Sequence, residues 1–229
     1  MKFITLFSGA MGLDIGLEMA GFEPVVCVEN DEDSVATIKF NKPNLPIIEH
    51  SVVNVSGKDL IKVANLDKLC IPLVVGGPPC QAFSVFGNRL GIDDSRGKLV
   101  FEFIRIVEET QPITFLMENV RGLLSMSIVP KKNNLMYDKD IPKELFEKGS
   151  LMSKIFKEFN KIGYHVDCFV VNSVNYGAPQ IRERVLLIGN RYGYSTTFTE
   201  PQFSNRAEDN LPSFKTLGEA INPNSGFVD

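Results

Sequence analysis

Cys80 stands in the run GGPPCQAFS, directly after Pro78 and Pro79 and before Gln81. The prolines restrict the backbone and donate no hydrogen bond, so they hold the approach to the thiol in one extended form. Residues Leu73 to Gly77 lead into them and read as a buried strand, and open α/β sheets bind ligands at the carboxyl ends of their strands. A thiol fixed at that place is a candidate nucleophile, and a buried structural cysteine is the plain alternative. Two further segments carry groups that could work with it. FLMENV puts Glu118 and Asn119 at the end of another predicted strand. APQIRERVLLIG supplies Gln180, Arg182 and Arg184 at alternating positions entering a strand, a spacing that points side chains to one face. Glu118 also reads as a helix-capping acid, and the arginines as edge charges that deter strand pairing.

A second constellation lies near the start of the chain. FSGAMGLDIG follows a predicted strand and opens a predicted helix, the context of a nucleotide-type cofactor loop. Its spacing, Gly9-x-x-Gly12-x-x-x-Gly16, is not the GxGxxG of dinucleotide binders, and an ordinary strand-to-helix turn fits it too. Glu29 ends the next predicted strand, 20 residues after Gly9. An acidic side chain there can accept both hydroxyls of a ribose, or it can stabilise the first turn of the helix that follows. The cationic residues of a pyrophosphate site are missing, so a cofactor with a ribose and no phosphate fits better. S-adenosylmethionine is one.

Short apolar runs that alternate with helix-period segments must position these groups, which predicts an α/β fold with a mostly parallel sheet. Strands are expected at 3–7, 24–29, 47–53, 73–77 and 113–120, with a closing pair in YHVDCFVVNS and RVLLIGN. Helices are expected at 13–20, 31–40, 99–109 and 151–163. The polar, turn-rich residues 126–150 read as a surface excursion, and the segment after Gly189 has no clear period. A catalytic and cofactor-binding domain is therefore expected over 1–190, with 191–229 as an extension.

The 229 residues, 44% of them hydrophobic, suit one domain with a substantial core. No window is apolar enough to span a membrane, and the apolar start is too short for a signal peptide, so a cytoplasmic protein without a membrane partner is expected. The four cysteines are widely spaced and only two histidines could join them, which predicts reduced thiols and neither a disulfide framework nor a metal site. A net charge of −4 argues against nucleic-acid binding by bulk charge, though a local basic groove is compatible with it.

Taken in order, LFSGAMGLDIGLEMAGF, VENDEDS, GGPPCQAFS, DDSRGKLVFEFIRIVEETQP, LMENVRGLL and NYGAPQIRERVLLIG strongly resemble the DNA cytosine-C5 methyltransferase family over residues 6 to about 190. The resemblance implies a Rossmann-like S-adenosylmethionine-dependent methyltransferase fold with an antiparallel strand in its sheet. It implies a restriction-modification enzyme that moves a methyl group from S-adenosylmethionine to carbon 5 of cytosine in double-stranded DNA, leaving S-adenosylhomocysteine. Cys80 would attack carbon 6 of a cytosine flipped out of the duplex, Glu118 would protonate N3, and Arg182 and Arg184 would hold the base edge. Gln81, Ser84, Asn119 and Gln180 would contact the base or DNA. The loop from Gln81 to Gly97 would close over the base. Phe7, Gly9, Met11, Gly12, Leu13 and Glu29 would line the cofactor's amino-acid and ribose end, Asn30, Val52, Pro79 and Leu99 would lie near its adenine or sulfonium, and Ser51 near the adenine amino group. Ser51 stands where the family usually has an aspartate, and Asn30 where it often has a larger stacking residue.

Two other readings remain open at this stage. One is a catalytically silent or partner-dependent cofactor-binding fragment, and the other an RNA cytosine-C5 methyltransferase. The family's recognition region and closing segment have no counterpart in these residues, so a fragment or one subunit of a split enzyme is expected, with recognition supplied by a partner. Such a chain would bind cofactor weakly and methylate specific DNA poorly by itself.

Overall fold

A computed structural model describes residues 1–67, 71–79, 99–128 and 143–221. Cys80, Gln81, Ser84 and the expected closing loop lie outside the described residues. Seven strands form one sheet: β1 Lys2–Leu6, β2 Glu23–Val28, β3 Ile47–Ile48, β4 Leu73–Gly76, β5 Thr114–Val120, β6 His165–Asn172 and β7 Glu183–Asn190. Their order is β3-β2-β1-β4-β5-β7-β6. All neighbours are parallel except β7, which runs antiparallel to both β5 and β6. The helices are α1 Gly12–Met19, α2 Glu32–Asn41, α3 Gly57–Val63, α4 Leu99–Thr110, α5 Ser150–Lys161 and α6 Leu217–Ile221. No helix of the described residues is long and apolar enough to cross a membrane.

The alternation of side chains along each strand divides the core into two layers. Ile4, Leu6, Val74, Phe115, Met117, Val185 and Leu187 face one way and pack with Leu60 of α3, Phe103 and Ile106 of α4, and Ile155 and Phe159 of α5. Phe115 is the centre of this layer: its ring stacks on Phe159 at 4.1 Å and meets Tyr164 at 5.5 Å. Tyr164 buries its hydroxyl by donating to the Pro112 carbonyl at 2.5 Å, as a buried phenol must find an acceptor. On the other face Phe3, Leu73 and Val75 pack with Leu13 and Leu17 of α1. Met11, Cys27 and Ile38 of α2 form a third, smaller cluster.

The third strand is shorter than the sequence pattern suggests. Only Ile47 and Ile48 pair, with β2 alone as partner, and the chain then turns so that Val52 enters the core beneath α4. Helix α3 has no apolar period long enough to reveal it. Its legible signal is the capping box, in which Ser56 and Asp59 satisfy each other's backbone N–H groups. Of the polar stretch 126–150, the described residues Ile128 and Phe146 are buried rather than superficial. Beyond β7 the chain folds back on the domain: the Gln202 and Phe203 N–H groups both donate to the Asn175 carbonyl.

Candidate functional site

The strand order reverses between β1 and β4: from β1 the chain steps outward to β2 and β3, then returns to the other side. Loops leaving the carboxyl ends at such a switch point diverge and open a crevice for a ligand. The segments singled out in the sequence emerge there, because Leu6 pairs with both Val28 and Gly76, and Gly76 pairs with Met117. Phe7 to Gly12, Gly77 to Pro79, Glu29 and Glu118-Asn119 therefore share one rim.

The first wall is wound tightly. Phe7, Gly9 and Met11 have φ of 56°, 51° and 63°. Glycine takes the left-handed region freely, while Phe7 and Met11 occupy it at a cost of the order of 1 kcal/mol each, sustained by their surroundings. Glu29 is part of those surroundings. One of its carboxylate oxygens accepts from Gly9 N at 2.6 Å, and the other from Asn30 N and Asp31 N at 2.8 and 2.9 Å. Glu29 thus braces the start of α2, one of its two sequence-based roles, and ties it to the Gly9 loop. A carboxylate has roughly four acceptor positions, so one remains for a ligand hydroxyl. Asn30 is exposed, Ser51 half-buried and Val52 buried in the core.

The second wall carries the acid and the arginine. Glu118 lies opposite Leu186 and Val120 opposite Arg184, so Glu118 and Arg184 are diagonal neighbours on one face of the sheet. Arg184 Nε lies 2.5 Å from Glu118 Oε1, an ion pair rather than an aligned hydrogen bond, and the guanidinium also donates to the Glu183 carbonyl at 2.7 Å. A Cβ on Gly77 would sit 3.2 Å from Glu118 Oε2, which places the carboxyl against the backbone that leads to Cys80.

Asn119, expected at the base, has a different occupation. It is 3% exposed, its amide donates to the Pro78 carbonyl at 3.1 Å, and its oxygen accepts from Val120 N at 2.9 Å. Its amide thus pins the proline turn that leads to Cys80. Gln180 and Arg182 also depart from the expected alternation, because β7 starts at Glu183 and only Arg184 of the three lies on the strand. Both precede it in an exposed turn: Gln180 O accepts from Ser173 Oγ, and Arg182 N donates to Asn172.

Two features had no sequence signal strong enough to be singled out. Asp14, in the first turn of α1, is 1% exposed and its Oδ1 has no hydrogen-bond partner. Burial pushes its carboxyl up to about 6, against the lowering effect of the Thr5 hydroxyl and with a smaller rise from Glu18. Cys27, pushed up to about 12 by burial and then by the charges of Asp14 and Glu29, is an inert thiol, and burial raises Cys168 as well. A carboxyl with a folded pKa above its unfolded value weakens the fold as pH rises from about 4 through 6, and by about 2–3 kcal/mol once the shift is complete. Asp14→Asn is therefore expected to stabilise the chain at pH 8 by on the order of 2 kcal/mol and to have little effect at pH 4. Urea unfolding at both pH values checks this, and an equal change at the two would remove the buried charge as its cause.

A seven-stranded, mostly parallel sheet with an antiparallel β7, and a ligand crevice at its switch point, is the Rossmann-like fold of S-adenosylmethionine-dependent methyltransferases. Among solved structures, a DNA modification methyltransferase encoded within an E. coli prophage superposes with a TM-score of 0.69 at 27% identity, over 96% of this chain and 54% of that one. A Spodoptera frugiperda DNMT2 shares the fold at a TM-score of 0.59 and 19% identity. The chain belongs to the C-5 cytosine-specific DNA methylase family, whose model matches residues 1–225. It is 39% identical to the type II methyltransferase M.AquIA of Picosynechococcus sp., over 96% of this chain and 87% of that relative. It is 33% identical to M1.HphI of Haemophilus parahaemolyticus, of which it spans 52%, and it spans 40% of M.XorII of Xanthomonas oryzae.

Proposed function

We propose that the chain forms the catalytic part of a restriction-modification enzyme that methylates carbon 5 of cytosine in DNA through a covalent bond between Cys80 and carbon 6. The observation that carries this reading is the second wall. Glu118, Arg184 and the Asn119-pinned turn at Pro78 converge on the backbone that ends at Cys80, beside the Gly9 loop and Glu29.

Carbon 5 of cytosine is a weak nucleophile. Addition of the Cys80 thiolate to carbon 6 turns carbon 5 into the nucleophilic end of an enamine. Negative charge then develops on the ring, and the Glu118 carboxyl, protonated at that step, gives its proton to N3. Arg184 holds Glu118 against Gly77 and supplies positive charge on the same side. Once carbon 5 carries the methyl group, loss of the carbon 5 proton, departure of Cys80 as thiolate and return of the N3 proton to Glu118 restore the aromatic ring. A stacked base cannot present carbon 6 to Cys80, so the cytosine is taken flipped out of the duplex.

The first wall fits the co-substrate. The remaining acceptor position of Glu29 suits a ribose hydroxyl, the Phe7–Gly12 loop faces the amino-acid end, and Val52, Pro79 and Leu99 suit the adenine. S-adenosylmethionine held there would supply an electrophilic methyl group and leave as S-adenosylhomocysteine. Calorimetric titration with S-adenosylhomocysteine tests this half of the reading. Glu29→Ala is expected to weaken binding at least about tenfold, equivalent to roughly 1.4 kcal/mol. An unchanged affinity would remove Glu29 from the ribose.

A further inference from the structure

Arg105, in the middle of α4, uses all three of its guanidinium nitrogens. Nε donates to Glu102 at 2.7 Å and Nη1 to Glu109 at 2.8 Å. Nη2 crosses to another part of the chain and donates to the Val52 and Val55 carbonyls at 2.9 and 3.1 Å. Those carbonyls belong to the 3-10 turn Val52–Asn54 and the residue that ends it, the turn that replaces the missing half of the third strand. Glu109 continues the brace by accepting from Gly57 N at 2.6 Å. The approach is close: a Cβ on Gly57 would come within 2.6 Å of the Glu109 Cβ, so only glycine lets α3 start there. These bonds hold Glu109 below the usual carboxylate range, the Gly57 N–H and the Arg105 charge outweighing the opposing effect of burial.

We propose that Arg105 is a positioning residue for the co-substrate: it fixes the separation between α4, which starts at Leu99, and the turn that starts after Ser51. This rests on the reading above, in which Ser51, Val52 and Leu99 line the adenine. Nothing in the backbone pairing of the sheet holds that turn, since β3 ends at Ile48 and pairs only with β2. Val52 and Val100 pack in the same core layer, but apolar packing is non-directional and leaves the turn free to slide along α4. A planar fork with five donors fixes both distance and angle, which an ammonium does not.

The test is S-adenosylhomocysteine titration of the whole chain, with wild type, Arg105→Lys and Glu102→Gln compared well below their thermal midpoints. Arg105→Lys is expected to bind at least about tenfold more weakly, with amide hydrogen exchange at Asn54, Val55 and Gly57 faster by a similar factor. Glu102→Gln removes an ion pair within α4 and leaves the cross-brace, so its affinity and its exchange at those amides should stay within about twofold of wild type. A merely structural role for Arg105 would lower the thermal midpoint of both variants and leave the affinity of the folded protein unchanged. If Arg105→Lys does not fold, Glu109→Gln loosens the same guanidinium while leaving Gly57 an acceptor, and a loss of about threefold is expected. Wild-type binding with an unchanged affinity in the folded variant overturns the positioning role alone. Failure of the wild type to bind overturns the co-substrate reading and this role with it.

Discussion

A duplex carrying 5-fluorocytosine at the target position is expected to become covalently attached to the enzyme, and Cys80→Ser is expected to abolish the attachment. Fluorine at carbon 5 cannot leave as a proton, so the reaction stops after methyl transfer with the Cys80 sulfur still on carbon 6. A serine hydroxyl at the same position is ionised far less readily than a thiol and does not form the adduct at a measurable rate. The other described cysteines cannot substitute for it. Cys27 is buried and held as a thiol by desolvation and by two neighbouring carboxylates, and Cys168 by desolvation. Cys27→Ala should therefore leave the yield unchanged. The measurement is the fraction of protein shifted on a denaturing gel, made on the enzyme in its DNA-methylating form, together with any recognition subunit it requires. An adduct that survives in Cys80→Ser would place the nucleophile elsewhere.

Much of this site was legible because its signals are local. Glycines after a strand and a carboxylate at a strand end each announce themselves within a few residues. The fold was legible for the same reason, as the period of the apolar residues sets each long strand and helix. What escaped the sequence depends on pairings between distant segments. Nothing near Asn119 says that its amide will donate to the carbonyl of Pro78, 41 residues earlier. Arg105 reads as an ordinary helix arginine flanked by Glu102 and Glu109, and its second function appears only when the turn at Val52 is brought beside it. The alternation of Gln180, Arg182 and Arg184 predicts one shared face on entering a strand, but alternation says nothing about where pairing with β5 and β6 begins. Asp14 has the sequence context of an N-terminal helix carboxylate, and only the packing of α1 on β1 and β2 turns it into a buried acid.

Glu118→Gln is expected to slow formation of the covalent adduct by about 10²–10⁴-fold, the usual contribution of a positioned general acid, while leaving S-adenosylhomocysteine affinity unchanged. The glutamine has nearly the same shape and can still donate a hydrogen bond toward N3, but it has no proton to give as charge builds on the ring. The loss therefore falls on the chemical step, and single-turnover trapping with the fluorinated duplex reads that step directly. Arg184 sharpens the expectation. Its Nε lies 2.5 Å from Glu118 Oε1, so the approaching base must draw the carboxyl out of this ion pair before Glu118 can reach N3. Arg184→Gln removes that hold and the nearby positive charge together. It should slow the adduct less than Glu118→Gln does, because the acid itself is kept. In the double variant the two losses should not multiply, since both residues serve one proton transfer and groups that act as a unit are non-additive. Losses that did multiply would assign Arg184 a task separate from Glu118. An adduct rate in Glu118→Gln within about tenfold of wild type would mean that N3 takes its proton from another donor.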